Sequence, residues 1–228
     1  MTTPDMLGSS SRRTAGNQTG WWGCSAADRN KGPILEVLER ALPKQGLVLE
    51  IASGAGRHVA YFATALADLV WQPSEPDADL RRVISTAVAG LPNVREPLNL
   101  DVLQPSWPIT EADAIVNINM IHVAPWAATG ALMRGAAAVL GNGGVLYMYG
   151  PYRRFGSHTA PSNAAFDERL RMHDPQWGLR DMENVERLAG EAGLSLERTV
   201  AMPANNFSLV FRRRQCGPDN VRGSDQGG

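Results

Sequence analysis

The residues best placed to do chemistry lie in the segment Glu50–Gly56, which reads EIASGAG. The segment ends a short apolar run and precedes a stretch with helical spacing, so it predicts a strand-to-helix turn. A ligand at such a turn meets bare backbone at Gly54 and Gly56 and the positive end of the next helix. Glycines that serve only the geometry of a tight turn are the alternative, since short glycine patterns often recur by chance.

Further polar residues follow three later predicted strands. Glu75 follows the second strand, where a carboxylate could accept both hydroxyls of a ribose, and Asp101 ends the third, where it could accept an adenine amino group. Asn119 and His122 come after the fourth strand. Either carboxylate alone could belong to a solvated turn or a helix cap. Taken together and in this order, these residues outline an adenosine site at the carboxyl ends of parallel strands.

The elements that must position these residues alternate between apolar strands and amphipathic helices, which favours a parallel sheet with helices on both faces. The predicted strands are Leu47–Ile51, Leu69–Pro73, Leu98–Val102, Asp113–Ile118 and Val145–Tyr149. The predicted helices are one opened by Pro33, one from His58 to Leu66, one capped by Asp77 or Asp79, and one from Ala127 to Leu140 that Gly141 stops. Gly143 and Gly144 predict a turn into the fifth strand.

The C-terminal part departs from this alternation. Asp181 can cap a helix that Gly193 closes, and the strands Leu194–Ala201 and Phe207–Arg213 then follow with only MPANN between them. Strands joined so closely must pair antiparallel, so we expect a terminal hairpin.

Composition narrows the possible functions. Lys plus Arg is 22 and Asp plus Glu is 23, a net charge of −1 that argues against a dedicated nucleic-acid binder. No apolar run is long enough to cross a bilayer, so we expect no membrane insertion and no secretory signal. Two cysteines, Cys24 and Cys216, predict neither a disulfide framework nor a metal site, and a cytoplasmic location is the expectation.

One domain accounts for the patterned part of the chain. It is expected over residues 25–214, since no internal repeat or linker divides that stretch. The arm 1–24 and the tail 215–228 are rich in small and polar residues without periodicity, so both are predicted to be flexible.

Several strings resemble the class I S-adenosylmethionine-dependent methyltransferases. LVLEIASGAGRHV resembles their first motif, an acidic residue followed by small residues and G-x-G. Glu75, Asp101 and DAIVNINMIHV resemble the second to fourth motifs, and LGNGGVLYMYGPY the segment leading into the fifth strand. The resemblance implies an α/β, Rossmann-like fold with a seven-stranded, mostly parallel sheet in the order 3-2-1-4-5-7-6.

The resemblance narrows to one group within that superfamily, known as domain of unknown function 938, whose animal relatives are called methyltransferase-like 26. It rests on strings such as DRNKGPIL, WQPSEPD, NINMIHVAPW, HTAPSNAAFD and WGLRDMENV, and it covers roughly Ala26 to Arg213. Two positions depart from the pattern: Ala52 replaces a glycine, and Glu75 stands where many members carry aspartate.

The resemblance implies S-adenosylmethionine as methyl donor, S-adenosylhomocysteine as product and a small-molecule acceptor methylated on O, N or S. Glu50 would hold the methionine amino group and Glu75 the ribose. Arg29 or Asn30, on a segment that folds over the site as a lid, would reach the carboxylate, unless Asn30 only caps a helix. The other implied cofactor contacts are Ala52, Ser53, Gly54 and Gly56 at the turn, Asp101 and Val102 at the adenine, and Asn119 and Met120 beneath the methionine.

An acceptor that carries a proton needs a base, for which His122 is the first candidate and His158 the second. Either imidazole could instead order a loop through hydrogen bonds. The polar, aromatic stretch after the fifth strand is expected to line the acceptor pocket. The predicted acceptor contacts are Trp126, Tyr149, Tyr152, Arg153 and Asn163. Trp177 and Met120 could add an apolar wall, although large apolar side chains are more often core.

Three other functions compete with this prediction. A nicotinamide-dependent oxidoreductase needs a third glycine where the chain has Val59. A protein that binds S-adenosylmethionine without catalysis, as a partner subunit, would carry the same motifs. A nucleic-acid methyltransferase is disfavoured by the net charge and by NMIHVAP, which stands where amino-methylating versions carry Asn-Pro-Pro-aromatic.

Overall fold

The computed structural model describes residues 24–214, so the predicted arm and tail lie outside the described residues, apart from Cys24. The strands are β1 (Gly46–Ile51), β2 (Leu69–Ser74), β3 (Ala112–Ile118), β4 (Leu140–Gly150), β5 (Arg153–Arg154), β6 (Ser157–His158), β7 (Leu194–Met202) and β8 (Asn206–Arg213). The α-helices are α1 (Cys24–Ala41), α2 (Arg57–Ala65), α3 (Ala78–Ala87), α4 (Trp126–Val139), α5 (Pro161–His173) and α6 (Met182–Glu191).

The main sheet has six strands in the order β2-β1-β3-β4-β8-β7. Strands β1 to β4 run parallel, and β8 pairs antiparallel with both β4 and β7. The α/β class, the parallel sheet and the terminal hairpin are therefore confirmed. The expected order holds for these six strands, and the seventh, which was expected beside β2, is missing from the sheet.

The predicted third strand, Leu98–Val102, was wrong because prolines interrupt the pairing it would need. A preceding segment runs parallel to β2, but only the isolated bridges Trp71↔Val94 and Ser74↔Leu98 form. Pro73 and Pro97 lie between these bridges and have no backbone N–H to donate. The side-chain amide of Gln72 donates to the Glu96 carbonyl at 2.7 Å, in the gap between the two bridges.

Two predicted boundaries also differ. Pro33 does not open α1 but lies inside it, because Ala27 extends the buried stripe to the N-terminal side of the proline. The Gly141–Gly144 stretch is not a turn between helix and strand. It belongs to β4, whose pairing with β3 slips there: Ala112 pairs with Leu140, whereas Ala114 pairs with Val145. Gly143 adopts a left-handed φ of 76° inside this bulge.

The polar, aromatic stretch after β4, which was expected to line the acceptor pocket, leads through the β5–β6 hairpin into helix α5. The buried positions of α5 are Asn163, Asp167 and Leu170, which have helical spacing but are mostly polar. Hydrophobic periodicity therefore could not indicate this helix. Asp77 does cap α3, accepting from the backbone N–H groups of Asp79 and Leu80.

Alternate side chains of the central strands pack into two cores. Val48, Ala114 and Tyr147 face the core beneath α1, α2 and α3. Their neighbours Leu49 and Ile115 face the core beneath α4 and α6. Burial on both faces anchors the parallel strands firmly, and their carboxyl ends form a rigid edge.

Candidate functional site

A cavity of about 540 Å³ opens at the carboxyl ends of β1, β2 and β3. Its volume lies in the range of roughly 300–1,000 Å³ that is typical of small-molecule sites. The predicted cofactor residues on its wall are Asn30, Glu50, Ala52, Ser53, Gly54, Glu75, Asp101, Val102, Asn119 and Met120. The wall is completed by residues of α1, the first turn of α2, the start of α4 and the segment after α5.

Glu50 is the second-to-last residue of β1 and is buried, with only 3% of its surface exposed. Its Oε2 atom has no hydrogen-bond partner, which is costly for a buried polar atom. Burial raises the pKa of this carboxyl to about 8, and the nearby Glu75 adds to the effect. A buried acid with an unpartnered oxygen on a cavity wall suits a ligand cation, which would supply the missing partner.

Glu75 and Gly54 join the ends of β2 and β1. The backbone N–H of Gly54 donates to Glu75 Oε2 at 3.0 Å, and the N–H of Asp77 donates to Oε1 at 3.4 Å. Ser53 Oγ accepts from the backbone N–H of Ser74 at 3.2 Å, which ties the two strand ends together. Burial raises the pKa of Glu75. The turn therefore presents a fixed carboxylate and open backbone to the same space.

Two non-glycine residues of the cavity wall have left-handed backbone conformations. Ala52 follows β1 with φ 57°, and Asn119 follows β3 with φ 62°. Asn119 is held by its N–H, which donates to the Tyr149 carbonyl at 2.8 Å. The alanine stands at the position where the sequence pattern has glycine, and it adopts the conformation for which glycine is the usual residue.

Gly56 differs from Gly54 in what surrounds it. It is not on the cavity wall, and a Cβ atom there would lie 3.2 Å from the Cα of Ile84 in α3. Gly56 precedes α2 with φ 74°, so its place combines a left-handed turn with close packing of α2 on α3. The structure thus assigns this glycine to helix packing rather than to direct ligand contact.

Replacing Gly56 with alanine should therefore lower the free energy of unfolding by about 1–3 kcal/mol, because alanine is strained in a left-handed conformation and its Cβ atom would crowd Ile84. Urea unfolding of the variant and the wild type measures this difference. The folded variant should keep its cofactor affinity. A stable variant with impaired binding would instead return Gly56 to the ligand site.

Asp101 and Val102 lie in the segment between α3 and β3. Asp101 Oδ1 accepts from the backbone N–H of Leu103 at 2.9 Å, so the turn role considered from the sequence is present. Asp101 nevertheless lines the cavity. Apolar side chains accompany it there, among them Leu80, Leu100 and Val102. This part of the wall can hold a flat apolar ring whose polar edge meets a carboxylate.

Helix α1 covers one side of the cavity through Ala26, Ala27 and Asn30. The Nε2–H group of His58 donates to Asn30 Oδ1 at 2.8 Å, and burial lowers the pKa of His58 to about 4. Asn30 also hydrogen-bonds to the phenol of Tyr149, a predicted acceptor contact that is buried and not on the wall. Asn30 is therefore an interior residue of the helix rather than its cap.

Arg29 does not take the role expected of it, and a different arginine, Arg57, lies at the site. Arg29 is exposed and lies away from the cavity wall. Arg57, which the sequence did not single out, begins α2 and lines the cavity, with its guanidinium 3.8 Å from the Asp28 carboxylate. An arginine that opens a helix looks ordinary in sequence, and only the fold brings this one to the site.

His122 lies behind the cavity floor rather than on it. It ends the short 3-10 helix Met120–His122, is fully buried and packs edge-on against Tyr152, with ring centroids 5.2 Å apart. Both of its ring nitrogens and the Tyr152 hydroxyl lack hydrogen-bond partners. Burial lowers the pKa of His122 to about 3. Its main-chain carbonyl accepts from Gly178 N–H at 2.9 Å, which anchors the segment after α5.

His158 is also absent from the cavity wall. It lies on β6, and its Nε2 atom is 3.0 Å from Asp167 Oδ2. Asp167, which is buried, also accepts from Leu179 N–H at 2.7 Å and from Arg171 Nε at 3.2 Å. This arrangement matches the alternative in which the imidazole orders a loop.

Three further predicted acceptor contacts lie outside the cavity wall. Trp126 is 37% exposed at the start of α4, with the Arg180 guanidinium 5.6 Å from its ring centroid. Arg153 in β5 donates to the Gly156 carbonyl across the hairpin turn. Asn163 is buried in α5 and donates to the Asn205 carbonyl at 3.0 Å. Their predicted role therefore has no support from the geometry.

His173 and Trp177 do reach the cavity. His173 ends α5, Trp177 lies in the following turn, and their ring centroids are 4.9 Å apart. Trp177 was predicted as part of an apolar wall, whereas His173 was not among the predicted site residues. His173 is exposed, and it also lines the cavity.

Within residues 24–214 no helix combines the length and apolarity that crossing a bilayer requires. The same part of the chain brings no three His, Cys, Asp or Glu side chains together in a way that could hold a metal ion.

Comparison with solved structures identifies the class of fold. The chain superimposes on the pyocyanin biosynthetic protein PhzM with a TM-score of 0.66 at 20% identity, covering 82% of this chain and 56% of that one. CalO1, a methyltransferase in calicheamicin biosynthesis in its SAH-bound form, gives a TM-score of 0.64 at 18% identity, covering 82% of this chain and 55% of that one. The mitomycin 7-O-methyltransferase MmcR gives a TM-score of 0.69 at 17% identity, covering 83% of this chain and 54% of that one. This chain spans about half the length of these neighbours, and the shared architecture is the class I methyltransferase fold.

The family is defined by the sequence itself. Residues 23–213 match the model of a family described as a protein of unknown function, DUF938. The match covers most of the chain, so the protein belongs to the DUF938 family. The resemblance stated from the sequence is confirmed.

Proposed function

We propose that this protein is an S-adenosylmethionine-dependent methyltransferase acting on a small molecule. The observation that carries the proposal is the buried, unpartnered carboxyl oxygen of Glu50 on the wall of a cavity at the carboxyl ends of β1–β3. Among the described residues, the wall carries the carboxyl groups of Glu50, Glu75 and Asp101 and one arginine, Arg57. Such a wall favours a ligand with positive charge, and the donor carries a sulfonium and an ammonium.

The residues present fit the groups of this cofactor one by one. Glu50 would accept from the ammonium group, and Arg57, at the positive end of α2, would meet the carboxylate. Glu75, fixed by the Gly54 N–H, would accept from the ribose hydroxyls. Asp101 and the apolar side chains beside it would hold the adenine. Asn119 and Met120 would form the floor beneath the methionine.

S-adenosylmethionine supplies a methyl group on a sulfonium, which is a good leaving group. The protein's contribution is therefore positioning and exclusion of water. The fixed strand ends orient the cofactor, and α1 shields one side through Ala26, Ala27 and Asn30. The His58–Asn30 hydrogen bond holds that helix against α2. A small-molecule acceptor is also in keeping with neighbours named for pyocyanin, calicheamicin and mitomycin chemistry.

Calorimetric titration with S-adenosylhomocysteine, S-adenosylmethionine and NADH tests the cofactor assignment. We expect dissociation constants of about 1–100 μM for the adenosyl ligands, in the range typical of enzymes and their substrates, and no NADH heat. The adenosyl ligands should also raise the melting temperature, because a ligand that binds only the folded state stabilises it. NADH binding without adenosyl binding would overturn the proposal in favour of an oxidoreductase.

Turnover distinguishes an enzyme from a non-catalytic binding subunit. Incubation with methyl-labelled S-adenosylmethionine and a panel of phenols, amines and thiols should transfer label to at least one acceptor class. Tight cofactor binding with no transfer to any of the three would support the non-catalytic alternative.

A further inference from the structure

We propose that His173 and Trp177 form the acceptor subsite and that it takes a neutral, planar aromatic molecule bearing a hydroxyl group. This inference rests on the proposed function and adds the class of substrate. The two residues belong to the C-terminal end of α5 and the following turn, whereas the residues assigned to the cofactor come mainly from the ends of β1–β3. The same cavity thus has a second wall that the cofactor assignment leaves unused.

The chemistry of this second wall favours an aromatic ring. The Trp177 indole is half-buried and lies beside the His173 imidazole at a tilt of 40°. The nearest floor segment contributes the apolar side chains of Met120, Val123 and Ala124 to the cavity. A planar ring can stack on the indole over this floor. The imidazole then offers a hydrogen bond to a hydroxyl at the edge of the ring.

The carboxyl groups on the wall disfavour an anionic acceptor. Glu50, Glu75 and Asp101 line the shared cavity, and Arg57, the one arginine on the described wall, is assigned to the carboxylate of the cofactor. An acceptor carboxylate would therefore enter a field of like charge without a free arginine to offset it. A neutral hydroxyl compound meets no such repulsion.

Arg180 holds this wall in position. Its Nε–H donates to the Ile121 carbonyl at 2.9 Å, and Nη2 donates to the carbonyls of Ala124 and Gln176 at 2.6 and 2.7 Å. One guanidinium thereby joins the cavity floor to the turn that carries Trp177. The Gly178 N–H adds a 2.9 Å bond to the His122 carbonyl. The wall is thus preformed, and Arg180 is a positioning residue for it.

The direct test uses the full chain saturated with S-adenosylhomocysteine and follows the imidazole Cε1–H signals by NMR. The chain has four histidines, so His173 is assigned from the signal lost in His173→Asn. The probes are 1-naphthol, the anion 1-naphthoate and the non-planar decahydro-1-naphthol. We expect 1-naphthol to shift the His173 signal in a saturable way, and the other two to bind at least about tenfold more weakly.

Variants assign the effect to the second wall. Trp177→Leu and Arg180→Lys should each weaken 1-naphthol about tenfold while changing S-adenosylhomocysteine affinity less than twofold. Met172→Leu is the matched control, because Met172 is 72% exposed beside His173 and is not on the cavity wall. It should leave both affinities unchanged.

The outcomes separate this inference from the function on which it rests. Absence of S-adenosylhomocysteine binding overturns the proposed function. Normal S-adenosylhomocysteine binding with no 1-naphthol shift at His173, or with 1-naphthoate binding as tightly, overturns the subsite and leaves the cofactor assignment intact.

Discussion

Replacing Glu50 with glutamine should weaken S-adenosylhomocysteine binding about 10- to 100-fold, since a hydrogen bond to a charged group contributes about 1.5–3 kcal/mol. Glutamine keeps the shape of the side chain and can still accept a hydrogen bond, so the loss measures the charge. Calorimetry at pH 8 gives the two affinities. Glu36→Gln is the charge-matched control, because Glu36 is exposed on α1 and is not on the cavity wall.

The pH dependence of binding provides an independent signature of the same carboxyl. Burial raises the pKa of Glu50 to about 8 in the unliganded protein, so binding an ammonium below that pH must release its proton. The wild-type affinity should rise by up to about tenfold per pH unit from about pH 6 to about pH 8 and then level off. S-adenosylhomocysteine is the preferred ligand for this measurement, because it lacks the sulfonium charge of S-adenosylmethionine. That charge would lower the pKa of the ligand's own ammonium group toward the pH range being measured.

The stability of the unliganded protein should change in the opposite direction. Below pH 4.5, the ordinary value for this carboxyl, folded and unfolded chains both hold the proton. Between that pH and about 8 the folded protein holds more protons than the unfolded chain, so the Glu50 contribution to the free energy of unfolding falls as pH rises. Glu50→Gln should remove both pH trends. Their persistence in the variant would assign the titration to another group.

Replacing Gly54 with valine should reduce cofactor affinity about 100-fold or more, since bulk inserted into a fitted site costs several kcal/mol. Gly54 lines the cavity, and a Cβ atom there would meet no protein atom within 4 Å. The unliganded protein therefore has room for the valine side chain. In the complex, that side chain would occupy space that the cofactor needs. Calorimetry with S-adenosylhomocysteine measures the loss.

Gly90→Val is the matched control for Gly54→Val. Gly90 also has a positive φ, 85°, and open space around its Cβ position, but it lies away from the cavity. Both variants should lose about 1–2 kcal/mol of stability from left-handed strain. Only Gly54→Val should lose binding. If the valine variant does not fold, Gly54→Ala is measured in its place, with a smaller expected loss of affinity. A folded Gly54 variant with normal affinity would remove the cofactor from this turn.

The residues proposed for the cofactor could be predicted to share one cavity wall, because their signals are local. Glu50 and Gly54 lie in one short turn, and Glu75 follows the neighbouring strand, so the parallel sheet necessarily brings them together. The same reasoning failed one turn further on. His122 follows β3, but the 3-10 helix places Met120 on the cavity wall and turns the imidazole into the core. A 3-10 helix has three residues per turn, so side chains two positions apart, such as those of Met120 and His122, point to different sides.

The proposed acceptor side of the cavity could not be predicted from the sequence pattern, since it depends on tertiary contacts. Helix α5 buries Asn163 and Asp167, so its inner face looks polar and its end, His173, had no predicted place. Arg57 and Arg180 are ordinary arginines in sequence, and their roles arise from carbonyls and carboxylates on distant segments. The missing edge strand has a local cause, because Pro73 and Pro97 interrupt the pairing with β2. The sequence prediction followed the apolar pattern and did not take these prolines into account.

The backbone of Ala52 carries a consequence for how this cavity keeps its shape. Holding an alanine at φ 57° costs about 1–2 kcal/mol relative to a right-handed conformation, and glycine would largely avoid that cost. Yet glycine would also give the strand end more freedom in the unfolded chain and a wider choice of conformations. The alanine methyl group therefore lowers the folding stability somewhat but makes the first turn of the cavity wall stiffer. Rigidity in this part of the cavity wall would lower the entropy lost when a ligand binds.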